Sequence, residues 1–168
     1  LQTILKRGPE FAECLPKVSG LRLLRPLSAS ESFLSFLCAS NNNVVRIRQL
    51  VAKLEAMGEP VGAIHSETGE RALISFPRVE RISQCSEEEL REKGFGYRGK
   101  TIPLACAEIL KMGSGDELKA FDQLKTAGYD NAWRALAELP GIGRKLADCI
   151  CLFALDQGQS VPIDTHIW

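Results

Sequence analysis

The chain has 168 residues, 45% hydrophobic and 25% charged, a balance that suits one globular domain with a real core. Its 21 basic and 21 acidic side chains cancel, which argues against a protein that coats nucleic acid by bulk charge and leaves a local basic cleft as the electrostatic option. No apolar run reaches the ~18 residues of a bilayer span, and no charged segment followed by an apolar one opens the chain, so membrane and secretory roles are set aside.

Apolar residues recur at helical spacing almost throughout, predicting a nearly all-α fold in which Ala72 to Phe76 is the one strand-like stretch. Ser28 or Ser30 can cap a helix carrying Phe33, Leu34, Phe36 and Leu37, which ends near Asn41-Asn42-Asn43. That triplet opens a second helix with Val44, Ile47, Leu50, Val51 and Leu54 on one face, and Gly58 with Pro60 closes it. Ser86-Glu87-Glu88-Glu89 starts a short helix, its acids suited to the positive end of the dipole, that stops at Gly94. GFGYRGK (94–100) leads into a helix through Met112, Gly113-Ser114-Gly115 separates it from another over Asp116 to about Thr126, and two more follow over Asn131 to Leu139 and Arg144 to Leu155. An irregular loop runs from Asp156 to Ile163, and the chain closes on DTHIW as a new helix is expected. With Leu1 in place of an initiating methionine, this reads as a segment of a longer protein.

PGIG (140–143) is a tight joint between two predicted helices, a helix-hairpin-helix candidate. Pro140 fixes one φ angle, while Gly141 and Gly143 permit conformations or close approaches that a Cβ would block. The amides of this corner and the start of the following helix can hold a phosphate, directly or through a bound cation, although two glycines can also simply join packed helices. Lys145 sits in the first helical turn, where a cation opposes the dipole, and its apolar neighbours Leu146, Ile150 and Leu152 predict partial burial that would free the amine as a nucleophile. A surface lysine is the plainer alternative. Cys149, one turn on, can line a pocket, pair with the ammonium as a thiolate, or merely pack. Asp164 stands where an N-cap belongs; the same carboxylate, aimed into a cleft, can stabilise a positively charged sugar, with His166 able to contact a phosphate from the same helix start. The six cysteines lack the CxxC pairs of a zinc site and are read as reduced thiols, and two histidines, His65 and His166, do not suggest a metal centre.

LPGIGRKLADCICLFALDQGQSVPIDTHIW strongly resembles the hairpin, Gly/Pro loop and aspartate of the helix-hairpin-helix DNA glycosylase superfamily, in its 8-oxoguanine glycosylase branch. The resemblance extends upstream through LRLLRP (21–26), FLSFLCASNNNVVRI (33–47) and GFGYRGK. It implies an all-α domain, present in part over 1–168, with two helical subdomains flanking a cleft, 139–155 as the hairpin and second helix, and 156–164 as the Gly/Pro loop and aspartate. By the same resemblance Lys145 attacks the sugar C1′ and Asp164 steadies the cationic sugar. Asn41, Arg46 and Arg98 contact the cytosine opposite, and Tyr97 is the aromatic wedge. Gly141, Gly143 and the Lys145 amide hold the DNA backbone, His166 touches a phosphate, and Cys149 borders the base pocket. The implied partner is double-stranded DNA holding a damaged base, flipped out of the stack, with no membrane and a monomeric enzyme. No cofactor is implied beyond an optional structural cation at the hairpin. The expected address is the nucleus in a eukaryote or the cytoplasm in a bacterium. Thr165 gives DTH, as in the endonuclease III branch acting on oxidised pyrimidines, so that substrate class stays an alternative, as does a non-catalytic DNA-binding helical module.

Overall fold

The structure, a computed structural model, describes residue 20, residues 22–66 and residues 69–164. Among these the chain order is α1 (Ala29–Ala39), α2 (Val44–Glu55), β1 (Pro60–Ser66), β2 (Gly69–Ile74), α3 (Val79–Ser83), α4 (Glu87–Glu92), α5 (Arg98–Met112), α6 (Glu117–Thr126), α7 (Tyr129–Ala137) and α8 (Arg144–Ala154). The predominantly helical expectation holds.

Ser28 caps α1 by accepting from the Glu31 N–H at 3.0 Å, and the helix then presents Phe33, Leu34, Leu37 and Cys38 to the interior. Burial of each large apolar side chain contributes about 1.5–3 kcal/mol, and these are shared among several neighbours because α1 packs against α2, α5, α6 and α8. Phe33 meets Phe121 of α6 edge-on at 5.6 Å between centroids, and Phe36 meets Phe153 of α8 at the same separation. The helix that supplies the lysine therefore lies directly on the central strut.

Asn43 opens α2, its side-chain oxygen taking the Arg46 N–H at 2.9 Å. The predicted apolar face is only partly used: Leu50 and Leu54 are buried, while Val44 is 69% exposed. The strand-like stretch is real but belongs to an antiparallel hairpin, in which Gly69–Ile74 pairs with Pro60–Ser66 and the pairing slips between Pro60 and Gly62. Both strands lie on the surface, so neither shows the inside-outside alternation by which β1 could have been found. The unanticipated α3 packs on α5, and α7 begins at Tyr129, after Gly128 at φ +78°, two residues before the predicted start.

Glu117, at the start of α6 and nearly fully buried, joins three helix beginnings. Its carboxylate accepts from the Val79 N–H at 2.6 Å and from the Ser30 hydroxyl at 3.1 Å, and Arg78 Nε stands 3.9 Å away. Arg78, the cap residue of α3, makes no side-chain capping bond of its own, so Glu117 caps that helix from outside. Glu117→Ala should strand these donors and cost about 2–3 kcal/mol, read as a lowered urea midpoint with an unchanged slope.

Candidate active site

The hairpin between α7 and α8 is pinned by its flanks and shaped by one glycine. Leu139 and Ile142 are buried, and the Ile142 N–H donates to the Leu139 carbonyl at 3.1 Å across a turn whose central residues are Pro140 and Gly141. Gly141 has φ +81°, and a Cβ there would lie 3.0 Å from both Cβ and Oγ1 of Thr101. Thr101 is in the first turn of α5, so this contact sets the hairpin beside the segment that carries Tyr97 and Arg98.

Gly143 behaves differently. It is the cap residue of α8 at φ −92° and ψ 177°, extended backbone open to any residue, and a Cβ would meet nothing within 4 Å. Nothing inside the described fold requires glycine here. The absent side chain instead leaves the first amides of α8 open to an approaching group.

Arg144 and Lys145 occupy the first turn of α8 without an acidic residue, an arrangement that opposes the dipole by about 0.3–1 kcal/mol per cation. Lys145 is less enclosed than its neighbours predict, with its side chain 41% exposed, and its Nζ lies 3.8 Å from Oδ2 of Asp164, itself 36% exposed. Nineteen residues separate the pair in sequence; the return of the chain after α8 brings them together. Cys149 is buried one turn beyond Lys145. Burial pushes its thiol above the ordinary value, the Lys145 charge opposes this, and the Asp148 and Asp164 carboxylates add to it. Cys149 is thus a neutral thiol at neutral pH, which removes the thiolate alternative.

The loop after α8 is tied down at its start. Asp156, at φ +55°, receives Lys125 Nζ at 2.5 Å and faces Arg25 Nε at 3.3 Å, while Gln157 donates through Nε2 to the Lys125 carbonyl at 2.9 Å. His166 and Thr165 lie outside the described residues, as does any helix that Asp164 would cap.

The second group of predicted residues also gathers. Asn41 turns the chain at φ +44°, a conformation asparagine tolerates better than most residues. Arg98 Nη2 donates to the carbonyls of Ser40 and, at 3.1 Å, Asn41; the Tyr97 hydroxyl donates to the same Ser40 carbonyl at 3.1 Å. Arg98 also lies 4.5 Å from the Tyr97 ring centroid. It is only 3% exposed and its Nε has no partner, whereas Tyr97 is 51% exposed and Arg46 lies on the surface. Arg46 Nη2 would stand 3.8 Å from a Cβ on Gly96, so it borders the same corner. Residues 40–46 and 96–98 thus form one polar corner beside the hairpin. Arg98 braces it from beneath.

The fold is that of the helix-hairpin-helix DNA glycosylases. The 8-oxoguanine glycosylase/lyase of Clostridium acetobutylicum superposes in its apo form with a TM-score of 0.76 at 24% identity, over 97% of this chain and 54% of that one. Its complex with double-stranded DNA containing cytosine opposite 8-oxoG gives 0.74 at 23%, over 97% and 53%. A 3-methyladenine DNA glycosylase from Archaeoglobus fulgidus gives 0.61 at 23%, over 83% and 43%, so the fold does not by itself select the base. By sequence the chain is similar, along nearly its whole length, to curated N-glycosylase/DNA lyases. It is 40% identical over 166 residues to the N-glycosylase/DNA lyase OGG1 of Arabidopsis thaliana, 97% of this chain and 43% of that protein, and 33% identical over 164 residues to the N-glycosylase/DNA lyase of Saccharomyces cerevisiae, 94% and 42%. The chain thus spans less than half the length of these two curated relatives. No protein-family model matches it.

Two stability measurements separate the roles of these residues. Gly141→Ala should cost about 1–2 kcal/mol or more, from the left-handed φ and the Thr101 contact, whereas Gly143→Ser, which installs a favoured cap, should leave the urea midpoint unchanged or raised. The Lys125 hydrogen bond holds the Asp156 carboxyl below its ordinary value; burial opposes this and the Arg25 charge assists it. A lowered folded-state value stabilises at neutral pH and is lost as pH falls through it. Asp156→Asn should therefore cost about 1 kcal/mol or less at pH 7, and the difference should vanish toward the acid end of a pH series of unfolding curves.

Proposed function

We propose that this chain carries the catalytic part of a bifunctional glycosylase/lyase that excises 8-oxoguanine opposite cytosine from double-stranded DNA. The observation that carries the proposal is Lys145 Nζ at 3.8 Å from Asp164 Oδ2, both partly open to solvent, next to a hairpin whose Gly143 has no internal reason to be glycine. A lysine placed against its helix dipole and facing a carboxylate is a local conflict of the kind that function explains better than folding does.

Once its Nζ has given up a proton, Lys145 attacks the sugar C1′ of a nucleotide flipped out of the stack, and the glycosidic electron pair leaves with the base, which takes up a proton. Positive charge builds on the sugar as that bond breaks, and the Asp164 carboxylate stabilises it far better than mobile water does. Ring opening gives a Schiff base between C1′ and Nζ; loss of a C2′ proton then expels the 3′ phosphate by breaking the C3′–O bond. Asp164 is also close enough, after a small side-chain movement, to take a proton from the lysine.

The corner formed by Asn41, Arg46, Tyr97 and Arg98 suits the orphaned cytosine. Arginine donors match its ring acceptors, and the Asn41 amide oxygen matches its exocyclic amine. Arg46 is on the surface and able to make such a contact, whereas Arg98 must exchange a carbonyl for the base. Gly143 and the first amides of α8 would take the DNA backbone. The likeness to solved 8-oxoguanine glycosylase/lyases favours an oxidised purine over the pyrimidine class, and the proposed chemistry calls on no cofactor.

In borohydride trapping on an 8-oxoguanine:cytosine duplex, Lys145→Gln should abolish the adduct while sparing duplex binding, and Asp164→Asn should slow adduct formation by about 10²-fold or more. Persistence of the adduct in Lys145→Gln would remove the lysine from its assigned role. Faster processing of a thymine glycol duplex would move the substrate to the pyrimidine class. Gly143→Ser should weaken duplex binding although it leaves the fold intact.

A further inference from the structure

A 3.8 Å separation between side chains nineteen residues apart needs the returning loop to be fixed against α8, and a polar cluster does this close to the pair. Ser160, four residues before Asp164 and almost fully buried, directs its hydroxyl to Asp148, with both the Asp148 carbonyl oxygen and Oδ1 at 2.9 Å. Asp148 lies on α8 three residues after Lys145, on the same side of the helix. Its Oδ1 also accepts from the Tyr129 hydroxyl at 2.6 Å, and Tyr129 is the first residue of α7, the other arm of the hairpin. One carboxylate oxygen therefore ties together the helix of the nucleophile, the helix before the hairpin and the loop that delivers Asp164.

The chemistry of the cluster suits a brace more than a proton relay. The facing oxygen of Asp148 is occupied by hydroxyl donors, and the hydrogen bond to Asp148, followed by burial, raises the Tyr129 phenol to about 12, so it remains a donor through the neutral range. Upstream, the loop is held by the Gln157 N–H on the Cys151 carbonyl and the Ser160 N–H on the Gln157 carbonyl, each at 2.9 Å. Beyond Ser160 the chain reads Val161-Pro162-Ile163, in which Pro162 lacks an N–H and fixes its own φ. Ser160 is thus a side-chain anchor immediately before a stiffened approach to Asp164.

We infer that Asp148 is a positioning residue which, by holding Ser160 and Tyr129, sets the distance between Lys145 and Asp164. The inference rests on the glycosylase/lyase function proposed above and names the device that aligns its two reacting groups. Misplacement of reacting groups by about 1 Å can cost on the order of 10²-fold in rate, whereas neither Asp148 nor Ser160 is among the groups proposed to touch the duplex.

The test is single-turnover borohydride trapping by the full-length protein on saturating 8-oxoguanine:cytosine duplex, with duplex affinity and urea midpoint measured on each variant. Ser160→Ala and Asp148→Ala should each slow adduct formation by about tenfold or more with affinity unchanged, and the double variant should be no slower than the slower single one. Asp148→Asn keeps an acceptor oxygen and should recover most of what Asp148→Ala loses. If Asp148→Ala does not fold, Ser160→Ala and Asp148→Asn decide the matter. Full trapping rate in folded Ser160→Ala, a loss explained by weaker duplex binding, or an Asp148→Asn variant as slow as Ser160→Ala would overturn the inference while leaving the proposed function standing. Absence of any adduct from the unsubstituted protein would overturn both.

Discussion

The close approach of Gly141 to Thr101 is the constraint on which the arrangement of the site depends. The turn needs a left-handed residue at that position, and a Cβ there would press on the Thr101 side chain at 3.0 Å, tighter than an ordinary contact. Both demands converge on glycine, and satisfying them brings the hairpin against the first turn of α5. Tyr97 caps that turn, Arg98 opens it, and Lys145 lies just after the hairpin. Two groups of polar residues from distant parts of the chain are therefore adjacent because one backbone can touch one threonine. Helix α1 supplies the rest of the frame, since its flank carries α8 and its end leads into Asn41.

Electrostatics in this frame are arranged with stability cost in some places and gain in others. Glu117 and Asp156 sit where folding benefits, one capping a helix from outside and the other facing two cations. Arg144 and Lys145 sit where folding loses, at the positive end of α8 with no acidic residue in its first turn. Arg98 combines the two patterns: its guanidinium braces the Asn41 turn through backbone carbonyls, yet its Nε is buried without a partner. Such local conflicts gather around the proposed site, as expected when a fold is built to hold reactive groups in place.

Much of the helical frame was legible in the sequence because its signals are local. Ser28, Asn43, Ser86 and Asp116 all cap the helices they were expected to open or precede, by the short-range bonds those residue types make. Strand β1 was not legible, since a hairpin lying wholly on the surface has no buried face to impose alternation. Helix α3 was missed for a related reason: it is short, and its cap arrives from Glu117, 38 residues downstream of Val79. Val44 was misjudged because an apolar stripe states which face can be buried and not how far the neighbouring elements extend to cover it.

By itself, the sequence determined the predominantly helical class, the hairpin, the family likeness and the side chains proposed to react, since each is carried by residue type or by spacing along one stretch. Only the tertiary structure decided that Lys145 and Asp164 face each other, that Cys149 is a neutral thiol, that Arg98 is turned inward to carbonyls, and that Gly143, unlike Gly141, is free of internal demand. The physical reason is that these properties depend on what the rest of the chain brings into contact with each residue. Burial, carboxylate partners and the space around a missing Cβ are properties of neighbours distant in sequence, and no local pattern encodes them.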